Sequence, residues 1–322
     1  MKNTLRHLPE KTLGKAGRDY SSRDKELTVV IFPYESHSAF PKAIQGLYKL
    51  LQIPFNLIVI EGNAPDGVRS QLEECENRYG SMSVLYSTKY LSPGEVIHLA
   101  RPHIKTDYCF FMDSEIQIRP GGIERMLGNA KNWNADVVFP KHSLITRQFK
   151  TRDQDRLSLE TPGMRLAFLM ATGSLAKLTR VDKRTDFYTA GWDLMLEFRS
   201  KGFQTMVSDE AWVESLPEHG IRRNDRLLFR HRWDLEQHRH LVNYFQQKWD
   251  LEIQDGLYQR WFESKSRQAA ALASAPFFSW ENLLDLTLAN RARFKARARY
   301  LEQAATLIGK TSLQNAGAVP QS

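Results

Sequence analysis

The feature that most constrains this chain is an alternation of buried-type strands and amphipathic helices. Runs of apolar, β-branched or aromatic residues recur at 27–33 (LTVVIFP), 55–62 (FNLIVIEG), 82–87 (MSVLYS), 108–112 (YCFFM) and 135–141 (ADVVFPK). Between them stand segments of helical period, the first with Phe40, Ile44, Leu47 and Leu51 on one face. Later helices are expected through 67–80, from about 94 to 105 and through 121–132. A strand without polar alternation is buried on both faces, and strand–helix–strand repetition makes neighbouring strands parallel. The expected class is therefore α/β, a mostly parallel, doubly wound sheet with flanking helices.

Such sheets bind ligands outside the carboxyl ends of their strands. Four of these ends are polar or acidic: Pro33-Tyr34-Glu35, Glu61-Gly62-Asn63, Asp113-Ser114-Glu115 and Pro140-Lys141-His142. In Asp113-x-Glu115 the period of two sends both carboxylates to one side wherever the backbone stays extended. Paired hard oxygen donors suit Mg²⁺ or Mn²⁺, with other positions left to water and phosphate. The same acids equally suit a cap on the next helix or pairing with Arg119 and Arg125.

Downstream the pattern changes. Residues 151–163 (TRDQDRLSLETPG) read as a polar surface loop, 164–178 as apolar, and 191–209 as a helix, a Gly202 stop and a short strand. From Ile221 onward the chain reads as helical and rich in Arg and Trp. The expected organisation is a flexible basic leader over 1–26, a catalytic domain over 27–218 divided near 141, a helical basic region over 219–310 and a disordered tail over 311–322.

Charge and composition bound the setting. The net charge of +8 is carried by the ends: 16 Lys and Arg face 10 Asp and Glu from His219 onward, and seven face four in the first 26 residues. No apolar run approaches the roughly 20 residues that cross a bilayer, and no secretory signal opens the sequence. Cys75 and Cys109 have no ligand spacing and read as reduced thiols, so a cytoplasmic protein is expected. The basic segment Arg291, Arg293, Lys295, Arg297 and Arg299 suits peripheral contact with the inner face of an anionic membrane, and equally a solvated, partner-facing helix. Arg interleaved with aromatics is also seen in single-strand binders, yet no nucleic-acid motif accompanies it and nucleic acid is not expected as a partner.

Four stretches in register, LTVVIFPYES, FNLIVIEGNAPDG, KTDYCFFMDSEIQIRPGGIERML and GWDLMLEFRSKGF, resemble the nucleotide-sugar-dependent glycosyltransferases of family 2, which have the GT-A fold. The segment NYFQQKWDL, 243–251, resembles a helix end that some members carry after the catalytic domain. The resemblance implies a donor site formed by Pro33, Tyr34, Glu35, Glu61, Asn63, Asp113 and Ser114. It implies Mn²⁺ or Mg²⁺ on Asp113 and Glu115, with His219 as a further ligand reached through a loop. Members carry an acidic pair before the last of these helices, and here Ala190 and Gly191 stand in its place. Asp193 is the nearest remaining acid and the candidate general base, or else a cap of its own helix. The implied activity is metal-dependent, inverting transfer of a sugar from a nucleoside-diphosphate sugar to a saccharide or lipid-linked acceptor hydroxyl. The alternative is a nucleotide-sugar-binding or scaffold protein of the same fold that has lost its base.

Overall fold

In a computed structural model the described residues are 25–141, 144–151, 156–162, 166–178, 182–184, 189–215, 222–253 and 256–274. The expected leader and tail, and the basic segment 291–299, lie outside them. The chain divides into two compact units, residues 1–272 and 273–322, and the sheet with its helices belongs to the first.

Five strands carry the expected runs: β1 (Leu27–Phe32), β2 (Phe55–Ile60), β3 (Met82–Leu85), β4 (Tyr108–Asp113) and β6 (Val137–Lys141). Between them lie β5 (Ile116–Ile118) and the helices α1 (Phe40–Leu50), α2 (Asp66–Arg78), α3 (Pro93–Ala100) and α4 (Gly122–Trp133). Further along come β7 (Leu144–Thr151), β8 (Arg156–Pro162), β9 (Ala167–Ala171), α5 (Thr172–Lys177), α6 (Ala190–Ser200) and β10 (Thr205–Ser215). The described helical region contains α7 (Arg226–Arg232), α8 (Leu235–Trp249), β11 (Leu251–Ile253) and α9 (Gly256–Ser274).

The main sheet has eight strands in the order β3-β2-β1-β4-β9-β6-β10-β5. Pairings β3–β2, β2–β1, β1–β4 and β6–β10 are parallel, so the sheet is mostly parallel as expected. β9 enters antiparallel between β4 and β6. Alternate residues of each central strand feed two cores. Val29, Ile31, Leu57 and Phe110 pack under α1, α2 and α4. Val30, Ile58, Phe111 and Phe168 pack with Val96 and Ile97 of α3 and with Leu194 and Phe198 of α6 on the other face. Burial on both faces is the physical reason these strands lack polar alternation.

Local chemistry sets the helix limits. α3 opens with a capping box, Ser92 accepting from the Glu95 amide while the Glu95 carboxylate accepts from the Ser92 amide. It is shorter than the expected 94–105, tightening into a 3₁₀ turn over Arg101–His103 where Pro102 has no amide to donate. α4 follows Gly121 at φ 73° and α6 runs out at Gly202, φ 67°, both in the left-handed region that favours glycine.

The expected surface loop at 151–163 is different. β7 and β8 form an antiparallel ladder from Leu144↔Pro162 to Lys150↔Arg156, and β11 adds to the far edge of β7. The polar stretch holds a short period-two pattern, with Leu157 and Leu159 between Arg156, Ser158 and Glu160. Its charge density outweighs that pattern when the sequence is read alone.

Candidate functional site

The carboxyl ends of β1, β2 and β4 are adjacent because β1 lies between β2 and β4 in parallel register. Past β1 the chain turns through Pro33–Ala39, past β2 through Glu61–Ala64, and past β4 through Ser114 and Glu115. These three turns are bonded to one another. Glu115 Oε1 accepts from the Glu35 and Ser36 amides at 2.5 and 2.7 Å, and Ser114 Oγ donates to the Ser36 carbonyl at 3.3 Å. His37 Nε2 lies 3.2 Å from the Gly62 carbonyl oxygen. Burial pulls the His37 pKa down against that hydrogen bond, and its Nδ1 is buried with no hydrogen-bond partner.

The acids of these turns face inward. Glu61 is 0 % exposed; its Oε1 accepts from the Ser87 amide at 2.9 Å and from Arg69 Nη2 at 3.2 Å, and Oε2 accepts from the Ala64 amide. Burial pushes its carboxyl pKa up, with the Ala64 and Ser87 amides and Arg69 opposing. Asp113 is also 0 % exposed, with Oδ1 accepting from the Glu115 amide at 2.9 Å and Oδ2 from the Leu166 amide at 3.3 Å. Asn63, at φ 62°, hydrogen-bonds through its side chain to Tyr90. Tyr34 is buried. The Glu35 carboxylate lies 3.7 Å from Lys265 Nζ of α9.

As placed, Asp113 and Glu115 do not fit a divalent-cation centre. Asp113 is closed off from solvent on two amides, and Glu115 spends an oxygen on the turn after β1. Among the described residues no three His, Cys, Asp or Glu side chains gather as a ligand set. His219, the expected further ligand, lies outside the described residues.

Asp193 sits in the first turn of α6. That helix returns through Gly202 to β10, whose Thr205 is in register with Val137 at the start of β6. Eleven helical residues span about 16 Å, the length of a strand, so the first turn of α6 stands at the carboxyl edge of the sheet. Asp193 does not cap its helix. Its Oδ1 accepts from Lys248 Nζ at 2.6 Å and from Trp249 Nε1 at 2.7 Å, and it is 2 % exposed. Burial pushes its pKa up, opposed by Lys248 and Trp249. Lys248 also meets Glu197 at 3.2 Å and Asp182 at 3.5 Å. Burial alone would lower the Lys248 pKa, but Asp193 and Glu197 raise it above the ordinary lysine range.

Sequence reasoning does not find the cations that hold the turn after β1. Arg232, at the end of α7, donates from Nε to the Tyr34 carbonyl at 2.8 Å and from Nη2 to the Leu91 and Pro33 carbonyls at 3.1 and 3.3 Å. Buried Asp225 accepts from the Ser38 amide at 3.0 Å. These partners lie 198 and 187 residues apart in sequence for the Tyr34 and Ser38 contacts, and no local signal marks them. The Lys-Trp pair of the 243–251 segment, visible in the sequence, belongs instead to Asp193.

None of the described helices is long and apolar enough to cross a membrane. Residues 28–187 match the family model described as Glycosyl transferase family 2. Among solved structures, S. aureus TarS 1-349 is 17% identical, with 68% of this chain and 70% of that chain covered at a TM-score of 0.43. The mannosyltransferase PcManGT from Pyrobaculum calidifontis, in complex with GDP-Man and Mn2+, is 15% identical, with 88% and 85% covered at a TM-score of 0.45.

Proposed function

Because residues 28–187 of this chain belong to glycosyl transferase family 2, we propose that it moves a sugar, with inversion, from a nucleoside-diphosphate sugar to an acceptor hydroxyl. The observation that supports this most is the convergence, inside the matched segment, of the three turns at Pro33–Ala39, Glu61–Ala64 and Ser114–Glu115 on one sheet edge. They are tied to each other by Glu115, Ser114 and His37. A preset edge of this kind holds a diphosphate leaving group without reorganising when the glycosidic bond breaks.

In this reading Tyr34, Glu35, Asn63 and Ser114 line the donor site. Glu61, Asp113 and Glu115 set its backbone from within. In one displacement the acceptor oxygen bonds to the anomeric carbon while the bond to the nucleoside diphosphate breaks on the opposite face. The hydroxyl proton goes to a carboxylate, for which Asp193 is the candidate at that edge.

A second reading is favoured by one observation: Asp193 is buried on Lys248 and Trp249, and Ala190 and Gly191 precede it. That arrangement suits a protein that holds a nucleotide sugar without turning it over.

One assay separates the two. The full chain is incubated with UDP-, GDP- and dTDP-sugars, alone and with mixed saccharides, and release of nucleoside diphosphate is followed alongside thermal stabilisation. Mn²⁺, Mg²⁺ and chelator arms are included, since the cation requirement implied by the family does not follow from the placement of Asp113 and Glu115. Release that is lost in Asp193→Asn with binding kept supports transfer. Stabilisation without release supports the binding protein, and neither response to any donor overturns both.

A further inference from the structure

One cavity of about 160 Å³ lies outside the three turns, between the segment Tyr90–Glu95, the residues Lys183 and Arg184, and the α7–α8 junction. Its walls connect to both parts of the proposed site. On one side Arg232 carries the turn after β1 through the Tyr34 and Pro33 carbonyls, and Tyr90 is bonded to Asn63. On the other side Arg184 stacks over the Tyr244 ring at 4.1 Å and donates to its hydroxyl. Tyr244 donates to Asp182, which meets Lys248, which holds Asp193. Ser92 joins the two walls by donating to the Lys183 carbonyl at 2.9 Å.

The lining chooses among ligand classes. Tyr90 and His231 stack at 4.7 Å between centroids and give the cavity a ring-faced wall. The side chains of Lys183, Gln237 and His231 bring donors and acceptors to the same lining. Lys183, Arg184 and Arg232 line the space together with the carboxylates of Glu95 and Asp234, and Glu95 is paired with Lys89 outside that lining, so the wall carries both signs. A hydroxyl is donor and acceptor at once and suits a lining of both signs. The volume equals the share of about five liquid waters, well below the roughly 300 Å³ at which drug-sized pockets begin. It admits one ring and not a nucleotide sugar.

We propose that this cavity is an acceptor subsite that takes a single uncharged sugar ring, placed between the donor turns and the Asp193 end of α6. The inference rests on the transfer reading and adds to it the helical region as a builder of the acceptor site.

The test uses the full chain and four probes, the methyl glycosides of glucose, galactose, mannose and N-acetylglucosamine, observed by saturation-transfer NMR. UDP and GDP binding are measured in parallel by calorimetry. At least one glycoside is expected to give a transfer signal that falls fivefold or more in both Gln237→Ala and His231→Leu, with nucleotide affinity unchanged. Gln237 is exposed, so its variant folds as the wild type does, which a thermal melt checks. Nucleotide binding with no glycoside signal overturns the subsite and leaves the donor reading standing. A signal unchanged in both variants, or displaced by inorganic phosphate, also overturns it. Failure of nucleotide and glycoside alike removes the transfer reading together with the subsite.

Discussion

Two sets of carboxylates stand at the same edge of the sheet and are held in different ways. At the strand ends Glu61, Asp113 and Glu115 accept from backbone amides, and Glu61 accepts also from Arg69 eight residues on. At the start of α6, Asp193 accepts from side chains of α8, 55 and 56 residues away. A backbone amide neither titrates nor swings away, so these carboxylates keep their partners wherever the turns form. A lysine and an indole stay in place only while α8 is docked. The carboxylates of the donor edge are thus held largely from within the sheet, while α7 adds Arg232 under the turn after β1; the side-chain partners of Asp193 come from α8.

The variant that challenges this contrast most strongly is Lys248→Met. It leaves Asp193 buried with its charge unpaired, and a loss of about 3 to 5 kcal/mol is expected in urea unfolding. The double variant with Asp193→Asn is expected to recover more than half of that loss; a cost for the single variant under about 1 kcal/mol would show that Asp193 does not need Lys248.

Gly94→Ala tests the wall shared by α3 and residues 182–184. A Cβ there would stand 2.0 Å from the Asp182 carbonyl oxygen, a backbone atom that no rotamer change can move. A loss of about 1 to 3 kcal/mol is expected, with glycoside binding weakened while UDP or GDP binding is kept. Glu115→Ala strips the acceptor from the Glu35 and Ser36 amides, at about 1 to 2 kcal/mol, and here nucleotide affinity is expected to fall. Unchanged nucleotide affinity in that variant would remove Glu115 from the donor edge.

The smallest effect is a pH dependence. The Lys248 pKa is higher folded than unfolded, because Asp193 and Glu197 outweigh the burial that lowers it. Its contribution is complete below the ordinary lysine pKa and is lost as pH rises through the folded value. A steeper alkaline loss of the melting temperature above about pH 10 is expected in the wild type than in Lys248→Met.

Much of the scaffold is legible from the chain alone. β1, β2 and β4 are continuous apolar runs ended by Pro33, Glu61 and Asp113, and α6 carries helical period up to Gly202, so their type and order follow from local pattern. The β7–β8 ladder is not legible, because its two-residue alternation is short and heavily charged. Nor is the antiparallel entry of β9 between β4 and β6, since pairing direction depends on how a connection is routed. Among the site residues, the positions of Glu35, Glu61, Asp113 and Glu115 at strand ends are readable, but the direction of their carboxylates is not. Glu61 and Asp113 read as acids presented at a mouth and are instead turned into the protein.

Which segments are strands and helices, and which acids end the strands, was already determined by the order of residues, because side-chain period and apolar burial act over a few neighbouring positions. What those acids do was decided by packing in three dimensions. A buried carboxylate takes whichever donor arrives within about 3 Å, and here the donors come from as far as Leu166 for Asp113 and Trp249 for Asp193. Spacing along the chain carries no record of such distant partners.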